Sequence, residues 1–175
     1  QMAETDLRYP IGKHHPEREI TRARIAEYID EIETLPVALR AAVEVLSPAD
    51  LEKRYRDGGW TIRQVVHHLA DSHMNAYTRY RLALTEDTPT IKPYDEARWA
   101  ELPDSQLPPG ISLDLIEALH RRWVAVLREL DGDAFAREFF HPEQNRNIRL
   151  DGMLGVYAWH GKHHLAHIEI ASGRR

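Results

Sequence analysis

The chain has 175 residues, 42% of them hydrophobic and 29% charged, which is enough for one domain with a single hydrophobic core. Its formal net charge of -5 disfavours a nucleic-acid partner, because phosphate binding requires a clustered basic surface. No apolar run reaches the roughly 18 residues of a membrane-spanning helix. Charged residues within residues 1–13 stand where a secretory signal would be apolar. We therefore expect one cytoplasmic domain, residues 1–175, without a membrane partner.

Residue usage also limits the chemistry. The chain has no cysteine, so it has no disulfide, no thiol nucleophile of its own and no thiolate metal ligand. It has 11 histidines, of which three lie within residues 67–73 and four within residues 160–167. Any metal site must therefore use nitrogen and oxygen donors, and these two segments are the first candidates.

Apolar residues at helical spacing predict two long helices in the first half of the chain. The first covers residues 21–47, and Pro36 is expected to kink or briefly interrupt it, because proline cannot donate a backbone hydrogen bond. The second begins after a tight turn, with Thr61 at the cap position and Gln64 three residues later in the capping-box pattern. This helix should extend to about residue 85.

Two more helices are predicted in the second half. One runs from Ser112 to Leu130, and the other from about residue 152 to residue 172, after Asp151 as its cap. Between these helices, Phe139-Phe140 and Ile148 could pair as a small hairpin.

Four amphipathic helices of about 20 residues favour an all-α four-helix bundle. Residues 86–111, which contain five prolines, form a long connection between the second and third helices, with a short helix expected around residues 96–102. At about 3.3 Å per extended residue, this connection can cross the whole bundle. We therefore predict an up-down-down-up order of the helices rather than a simple meander.

The predicted fourth helix carries two histidine pairs at a spacing of four residues. His160 and His164 form one pair and His163 and His167 the other, and in each pair the two imidazoles stack on one face and could chelate one ion. The alternative is a surface feature without a metal, and periodicity alone does not choose between the two pairs. Zinc proteases use the same spacing with a glutamate after the first histidine; Gly161 occupies that position here and excludes the protease interpretation.

The predicted second helix supplies a third candidate ligand, His68. It shares a helical face with Gln64, Asp71, Ser72 and Asn75, and such a polar stripe is costly to bury unless it is paired or binds something. A pocket that holds a metal is one explanation, and a solvent-facing strip is the other. Two histidines on one helix and one on another favour the metal, because three imidazoles that leave a position open are typical of a catalytic metal site.

The likeness to a known family rests mainly on two segments, YRDGGWTIRQVVHHLADSHMN at residues 55–75 and WHGKHHLAHI at residues 159–168. Together with residues 7–12, 93–96 and 141–142, they closely resemble the YfiT-like branch of the DinB superfamily. The resemblance covers nearly the whole chain in order and is far more specific than a single histidine motif.

This resemblance implies a four-helix bundle that holds one divalent metal ion through three histidines and leaves positions open for water. Matched residue by residue, the implied ligands are His68, His160 and His164. The remaining histidines of the two segments would then support the ligands, pack or lie at the surface: His67, His163 and His167. Imidazole donors suit several metals; zinc is the first choice and nickel the second. The resemblance also makes a homodimer a reasonable expectation.

Members of this branch were first labelled metal-dependent hydrolases, and others are regarded as thiol S-transferases that join bacillithiol or a similar small thiol to an electrophile. The preferred hypothesis is thiol transfer, because a metal at a three-histidine site can bind a thiol and lower its pKa. Asp71 or Gln64 could orient His68 or a bound water; ordinary helix polarity is the other interpretation of both residues.

Two rival functions remain open. Hydrolysis by a metal-bound hydroxide would use the same ligands; it is disfavoured because no carboxylate lies next to the ligand pair on the fourth helix, although Asp71 could serve as base. A metal-binding stress-response module without catalysis is the third possibility. The 86–111 connection could shape the substrate entrance or simply bridge the bundle, and its candidate lining residues are Lys92, Tyr94, Asp95 and Trp99.

Overall fold

The computed structural model of the protein describes residues 6–175. Residues 1–5 lie outside the described part, and they are the first five residues of the 1–13 segment that argued against a secretory signal. The helices are α1 (Arg22–Val43), α2 (Pro48–Leu51), α3 (Ile62–Thr85), α4 (Glu96–Trp99), α5 (Pro109–Glu129), α6 (Gly132–Phe135) and α7 (Leu150–Ala171), and the strands are β1 (Glu138–His141) and β2 (Arg146–Arg149). None of the helices in the described range is both long and apolar enough to cross a membrane.

The structure confirms the predicted start of α3 and corrects the end of α1. Thr61 caps α3 and Gln64 completes the capping box, as the sequence indicated. Helix α1 ends at Val43, four residues earlier than predicted. The Ser47 side chain instead caps the short helix α2, which begins at Pro48; proline suits the first turn of a helix, where its missing N–H costs nothing.

Pro36 lies inside α1 without interrupting it, so the predicted interruption is wrong. A proline inside a helix leaves the carbonyl four residues earlier without its usual partner, and in α1 this is the carbonyl of Ile32. That oxygen accepts a hydrogen bond from Nδ1 of His120 on α5, at 2.7 Å. The lost helical hydrogen bond is therefore replaced by one between helices, and α1 continues through the proline.

Helix α7 begins earlier than predicted and without the expected cap. Strand β2 leads directly into it, so that Arg149 is the residue before its first turn and makes no side-chain capping bond. Asp151 lies inside the first turn, where its carboxylate accepts from the backbone of Gly152 and pairs with Arg149. An acidic group is favourable there because of the helix dipole, but Asp151 is not the cap.

The four long helices form a bundle in which each has two close neighbours. Helix α1 packs on α5 and α7, and α3 packs on the same two helices, so α1 and α3 lie on one diagonal and α5 and α7 on the other. Helices α1 and α7 run parallel, because Tyr28 of α1 faces Gly155 of α7 and Leu35, two turns later, faces Gly161.

Helix α3 runs parallel to α5 and antiparallel to α7. His67 near the start of α3 bonds to Ser112 near the start of α5, and Tyr80 packs on Trp123 further along both helices. Tyr80 also donates to the carbonyl of Leu150 at the beginning of α7. These directions give the up-down-down-up order that the length of the α3–α5 connection predicted.

The connections pack against the bundle. The predicted helix at residues 96–102 is shorter, Glu96–Trp99, and a 3-10 turn follows at Pro103–Gln106. The predicted hairpin is confirmed, with Phe139 opposite Ile148.

The interior has an apolar core at each end and a layer of histidines between them. One core contains Tyr28, Ile32, Tyr80, Trp123 and Leu154, among others. The other is built around Leu39, Val66, Leu69, Ile116 and Ile168. On α3, α5 and α7, the residues between these two groups include His73, His120, His160 and His164. His68 lies among the residues of the second core, and its ring is beside those of His160 and His164. Buried polar groups are costly unless they bond or bind something, so this layer is where function is expected.

Candidate metal centre

Three histidines from two antiparallel helices meet in this layer. His68 of α3 and His160 and His164 of α7 each offer a nitrogen within 4.8 Å of the others. Nε2 of His68 lies 3.3 Å from Nε2 of His160. Two nitrogens bound to zinc at about 2.0–2.1 Å with a tetrahedral angle between them are separated by about 3.4 Å. The spacing of this pair therefore fits two ligands of one tetrahedral ion.

The protonation state of the three imidazoles also suits a metal. Burial lowers the pKa of His68 to about 4. Burial and the neighbouring imidazoles lower the pKa of His160 and His164 well below the usual value. His160 keeps a partly exposed edge, although both of its nitrogens face other imidazoles. At neutral pH all three are uncharged, and the neutral imidazole is the form that binds a metal ion.

A second histidine group shares His164 and includes His163 and His167. His167 already donates from Nε2 to the carbonyl of Arg8 at 3.1 Å, and its Nδ1 lies 3.2 Å from Nδ1 of His164. The His163 ring stacks on Trp159 at 4.4 Å between centroids. The second group comes entirely from α7, whereas the first brings together nitrogens of α3 and α7, and the first group is therefore taken as the candidate metal site.

The match to a protein family agrees with this fold. The family model of the DinB superfamily matches residues 31–168. The chain belongs to the DinB superfamily. The resemblance found in the sequence is thereby confirmed, and the histidine segments of α3 and α7 both fall within the matched range.

Relatives in this superfamily carry names that refer to a metal. “Putative metal-dependent hydrolase YfiT” of Bacillus subtilis is 49% identical over 174 residues, which cover 99% of this chain and 98% of that protein. A relative from Oceanobacillus iheyensis, also named as a metal-dependent hydrolase, is 56% identical over 168 residues, covering 96% and 97% of the two chains.

Solved structures show the same fold. The structure of YfiT from Bacillus subtilis, described as having an unusual four-helix bundle topology, matches with a TM-score of 0.93 at 50% identity, over 96% of this chain and 97% of that one. A mycothiol-dependent maleylpyruvate isomerase matches with a TM-score of 0.66 at 19% identity, over 82% and 60% of the chains. The second likeness shows the fold alone.

Within this DinB-superfamily bundle, the two polar residues expected to support His68 make other contacts. The Gln64 side chain accepts from the backbone of Thr61 and donates to the carbonyl of Ala100, so it caps α3 and holds the connection. Asp71 is half-buried. Neither side chain hydrogen-bonds to His68 within residues 6–175. Trp60 packs on His68, with ring centroids 4.6 Å apart, beside the rings of His160 and His164.

Two further histidines near the site were not predicted from the sequence: His73, which contacts the candidate ligand His160, and His120, which contacts His73. Nε2 of His73 lies 3.1 Å from Nδ1 of His160, and Nδ1 of His73 lies 2.7 Å from Nε2 of His120. Both rings are almost fully buried. Pro36 was the available signal, because it marks the free Ile32 carbonyl to which His120 bonds.

A cavity of about 790 Å³ adjoins the candidate metal centre, with His160, Tyr157 and Ser72 in its wall. This volume is within the range of small-molecule sites. Among residues 86–111, Glu96 lines the cavity. The four connection residues expected at the entrance do not line it: Lys92, Tyr94, Asp95 and Trp99. Tyr94 instead packs on Trp99, at 4.4 Å between ring centroids.

Asp71→Asn is expected to stabilise the protein at alkaline pH. Burial raises the pKa of Asp71 from 3.8 to about 6, so above pH 6 the folded state holds a carboxylate that the unfolded state solvates better. A shift of this size would correspond to about 3 kcal/mol without screening; for a half-exposed group we expect about 1 kcal/mol. The gain in the free energy of unfolding should be full at pH 8 and shrink as the pH falls from 6 towards 4.

Urea denaturation of both proteins at pH 8 and pH 5 measures this difference. Asp87→Asn, at an exposed position in a turn, is the matched control and should change stability little at either pH. An equal gain from Asp71→Asn at both pH values would contradict the raised pKa.

Proposed function

We propose that the chain binds one divalent metal ion, zinc first and nickel second, through His68, His160 and His164. The observation that carries the proposal is the set of three uncharged imidazoles from α3 and α7 whose nitrogens converge beside a cavity. With no cysteine in the chain, no thiolate competes for the ion. Nitrogen donors of this kind suit zinc, nickel and copper.

We further propose that the protein is an S-transferase that joins a low-molecular-weight thiol, of the bacillithiol kind, to an electrophilic substrate. Because the chain has no cysteine, the thiol must come from a cosubstrate. A bound ion would lower the pKa of that thiol, so that thiolate is available at neutral pH. The cavity of about 790 Å³ offers room for a thiol and an electrophile together.

Two residues of the cavity wall, Tyr157 and Glu96, can donate or accept a proton in this reaction. Burial raises the pKa of Tyr157, so its hydroxyl stays protonated and can donate a hydrogen bond to a substrate or leaving group. Partial desolvation also raises the pKa of the Glu96 carboxyl, which makes it a better proton acceptor than a fully solvated carboxylate. Both side chains line the same cavity as His160.

Metal-dependent hydrolysis is the alternative function. It is favoured by the names of relatives that are 49% and 56% identical to this chain. In that case water replaces the thiol, and Glu96 or Asp71, whose pKa values are both raised by burial, would serve as base. A metal-binding module without turnover would use the same three histidines. The cytoplasmic location and the homodimer remain predictions, and light scattering would test the second.

The zinc-loaded protein is expected to consume monochlorobimane only when bacillithiol is added, at a rate well above the uncatalysed reaction. The measurement is fluorescence of the thiol adduct, with zinc-free protein and His160→Ala as controls that should not exceed the background. Consumption of esters or amides without any thiol would favour the hydrolase. Stoichiometric zinc with no turnover of either substrate class would favour the non-catalytic module.

A further inference from the structure

We propose that two chains of hydrogen-bonded histidines, each ending on a backbone carbonyl, keep the protons of His160 and His164 on Nδ1 and thereby direct their Nε2 lone pairs to the metal. This inference rests on the proposed metal site. It assigns His73, His120 and His167 as positioning residues, which act through the ligands and do not touch the ion themselves.

The first chain runs from α7 through α3 to α5 and α1. The carbonyl oxygen of Ile32 can only accept, so Nδ1 of His120, at 2.7 Å, must carry the proton. Neutral His120 then has a lone pair on Nε2 and accepts from Nδ1–H of His73 at 2.7 Å. Nε2 of His73 is in turn an acceptor and receives Nδ1–H of His160 at 3.1 Å. A neutral imidazole has one proton, so Nε2 of His160 is free to bind a metal.

The anchor of this chain is available because of Pro36. In an uninterrupted helix, the carbonyl of Ile32 would accept from the N–H of residue 36, and proline has none. The oxygen therefore faces His120 as a free acceptor within the core. Pro36 is unfavourable in the middle of a helix, and the hydrogen bond between helices that it permits explains its presence in α1.

The second chain supports the other α7 ligand from the opposite side. Nε2 of His167 lies 3.1 Å from the carbonyl oxygen of Arg8 and must donate to it. Nδ1 of His167 is then an acceptor, and at 3.2 Å it receives Nδ1–H of His164. Nε2 of His164 is left with its lone pair, as Nε2 of His160 is. Two unrelated chain segments thus impose the same tautomer on both ligands.

The geometry of the His73–His120 link favours a hydrogen bond in the planes of the two rings, whereas the His73 and His160 rings are tilted by 40°. The rings of His73 and His120 are within 7° of parallel, with centroids 4.9 Å apart and nitrogens 2.7 Å apart, which is the arrangement of two imidazoles joined head to head. Both residues are at most 1% exposed. Water therefore has little access to these nitrogens, and the tautomers are set before any metal arrives.

The first test is independent of the metal. Long-range ¹H–¹⁵N correlation spectra of the metal-free protein distinguish the two tautomers of each histidine, with assignments from single histidine-to-glutamine variants. We expect Nδ1–H at His73, His120, His160 and His164, and Nε2–H at His167. An Nε2–H tautomer at His160 or His164 would overturn the proposal.

The second test is zinc affinity, measured by competition with a colorimetric chelator. His120→Leu removes the end of the first chain and should weaken zinc binding by about 10–100-fold, as for other outer partners of metal ligands. His120→Gln, which can still accept and donate, should recover part of the loss. His67→Leu is the matched control. His67 is a buried histidine like His120, but it lies on α3 and makes its two hydrogen bonds outside the chains, to Ser112 and Leu107. The zinc affinity of this variant should stay within about threefold of that of the unsubstituted protein.

The outcomes separate this inference from the function on which it rests. Equal zinc affinities for His120→Leu and His67→Leu would overturn the positioning role while leaving the metal site intact. Failure of the unsubstituted protein to bind zinc would refute the proposed function, and the spectra of the metal-free protein would still decide whether the tautomers are set as proposed.

Discussion

His160→Ala is expected to abolish stoichiometric zinc binding and, with it, all metal-dependent turnover. His160 contacts His68 through Nε2 and His73 through Nδ1, so its loss removes one of the three proposed ligands and disconnects His73 and His120 from the site. The affinity should fall by more than the roughly 10–100-fold that an outer partner contributes. The remaining pair, His68 and His164, comes from two different helices and offers no chelate within one helix.

Metal content after dialysis and chelator competition together measure this loss. Thermal denaturation adds an independent readout, because a ligand at 100 times its dissociation constant stabilises the folded state by about 2.7 kcal/mol. Zinc should raise the melting temperature of the unsubstituted protein and leave that of His160→Ala unchanged. His15→Ala, at an exposed position near the N-terminus, should behave like the unsubstituted protein. Retention of one tightly bound zinc by His160→Ala would show that the ion is held elsewhere.

Gly161→Ala and Leu35→Ala should each destabilise the protein, yet the first should become stabilising in the presence of the second. A Cβ at Gly161 would lie 2.6 Å from Cδ2 and 3.1 Å from Cδ1 of Leu35, across the α1–α7 contact. Overpacking of this kind costs about 1–3 kcal/mol, against about 1 kcal/mol that alanine gains over glycine in a helix. We expect a net loss of up to about 2 kcal/mol for Gly161→Ala alone.

Leu35→Ala alone should cost about 2–5 kcal/mol, because it leaves a cavity in a well-packed contact. With the leucine methyl groups gone, the added Cβ at Gly161 meets no obstacle, and only its helical advantage of about 1 kcal/mol remains. Urea denaturation of the four metal-free proteins gives the coupling as a double-mutant cycle. Gly152→Ala, where an added Cβ has no neighbour within 4 Å, should stabilise both backgrounds equally. The same effect of Gly161→Ala in both backgrounds would disprove the contact with Leu35.

Much of the fold could be predicted from local patterns in the sequence. The capping box at Thr61 and the apolar spacing of the long helices are local signals that depend on neighbouring residues only. The errors fall where local signals compete: Ser47 and Asp151 are both suitable caps, but Ser47 begins a new short helix and Asp151 is preceded by a strand that enters the helix directly.

The candidate site required more than local patterns. The pairs His160–His164 and His163–His167 have the same spacing, and the difference between them lies in what other segments place beside them. His68 of α3 approaches the first pair, whereas Tyr55 stacks on the His167 ring at 3.9 Å between centroids. From the sequence, only the resemblance to the family favoured His160 and His164 over His163 and His167 as the ligands.

The histidine chains were beyond prediction for a further reason. They end on the backbone carbonyls of Ile32 and Arg8, and a backbone oxygen has no residue type by which to recognise it. Pro36 could have indicated a free carbonyl, although it could not have indicated which side chain would reach it.

The order of the helices has a consequence for how the protein folds. Helical proteins usually fold fast because their contacts are local in sequence, but here α1 and the next long helix, α3, lie on a diagonal of the bundle. The contact of Arg128 with Asp30 spans 98 residues and that of His73 with His160 spans 87, so large loops must close before these contacts form. The histidines of α3 and α7 come together only when α7 has docked against α3. A metal ion bound by all three histidines, as proposed, would therefore slow the unfolding of the bundle and do little to speed its folding.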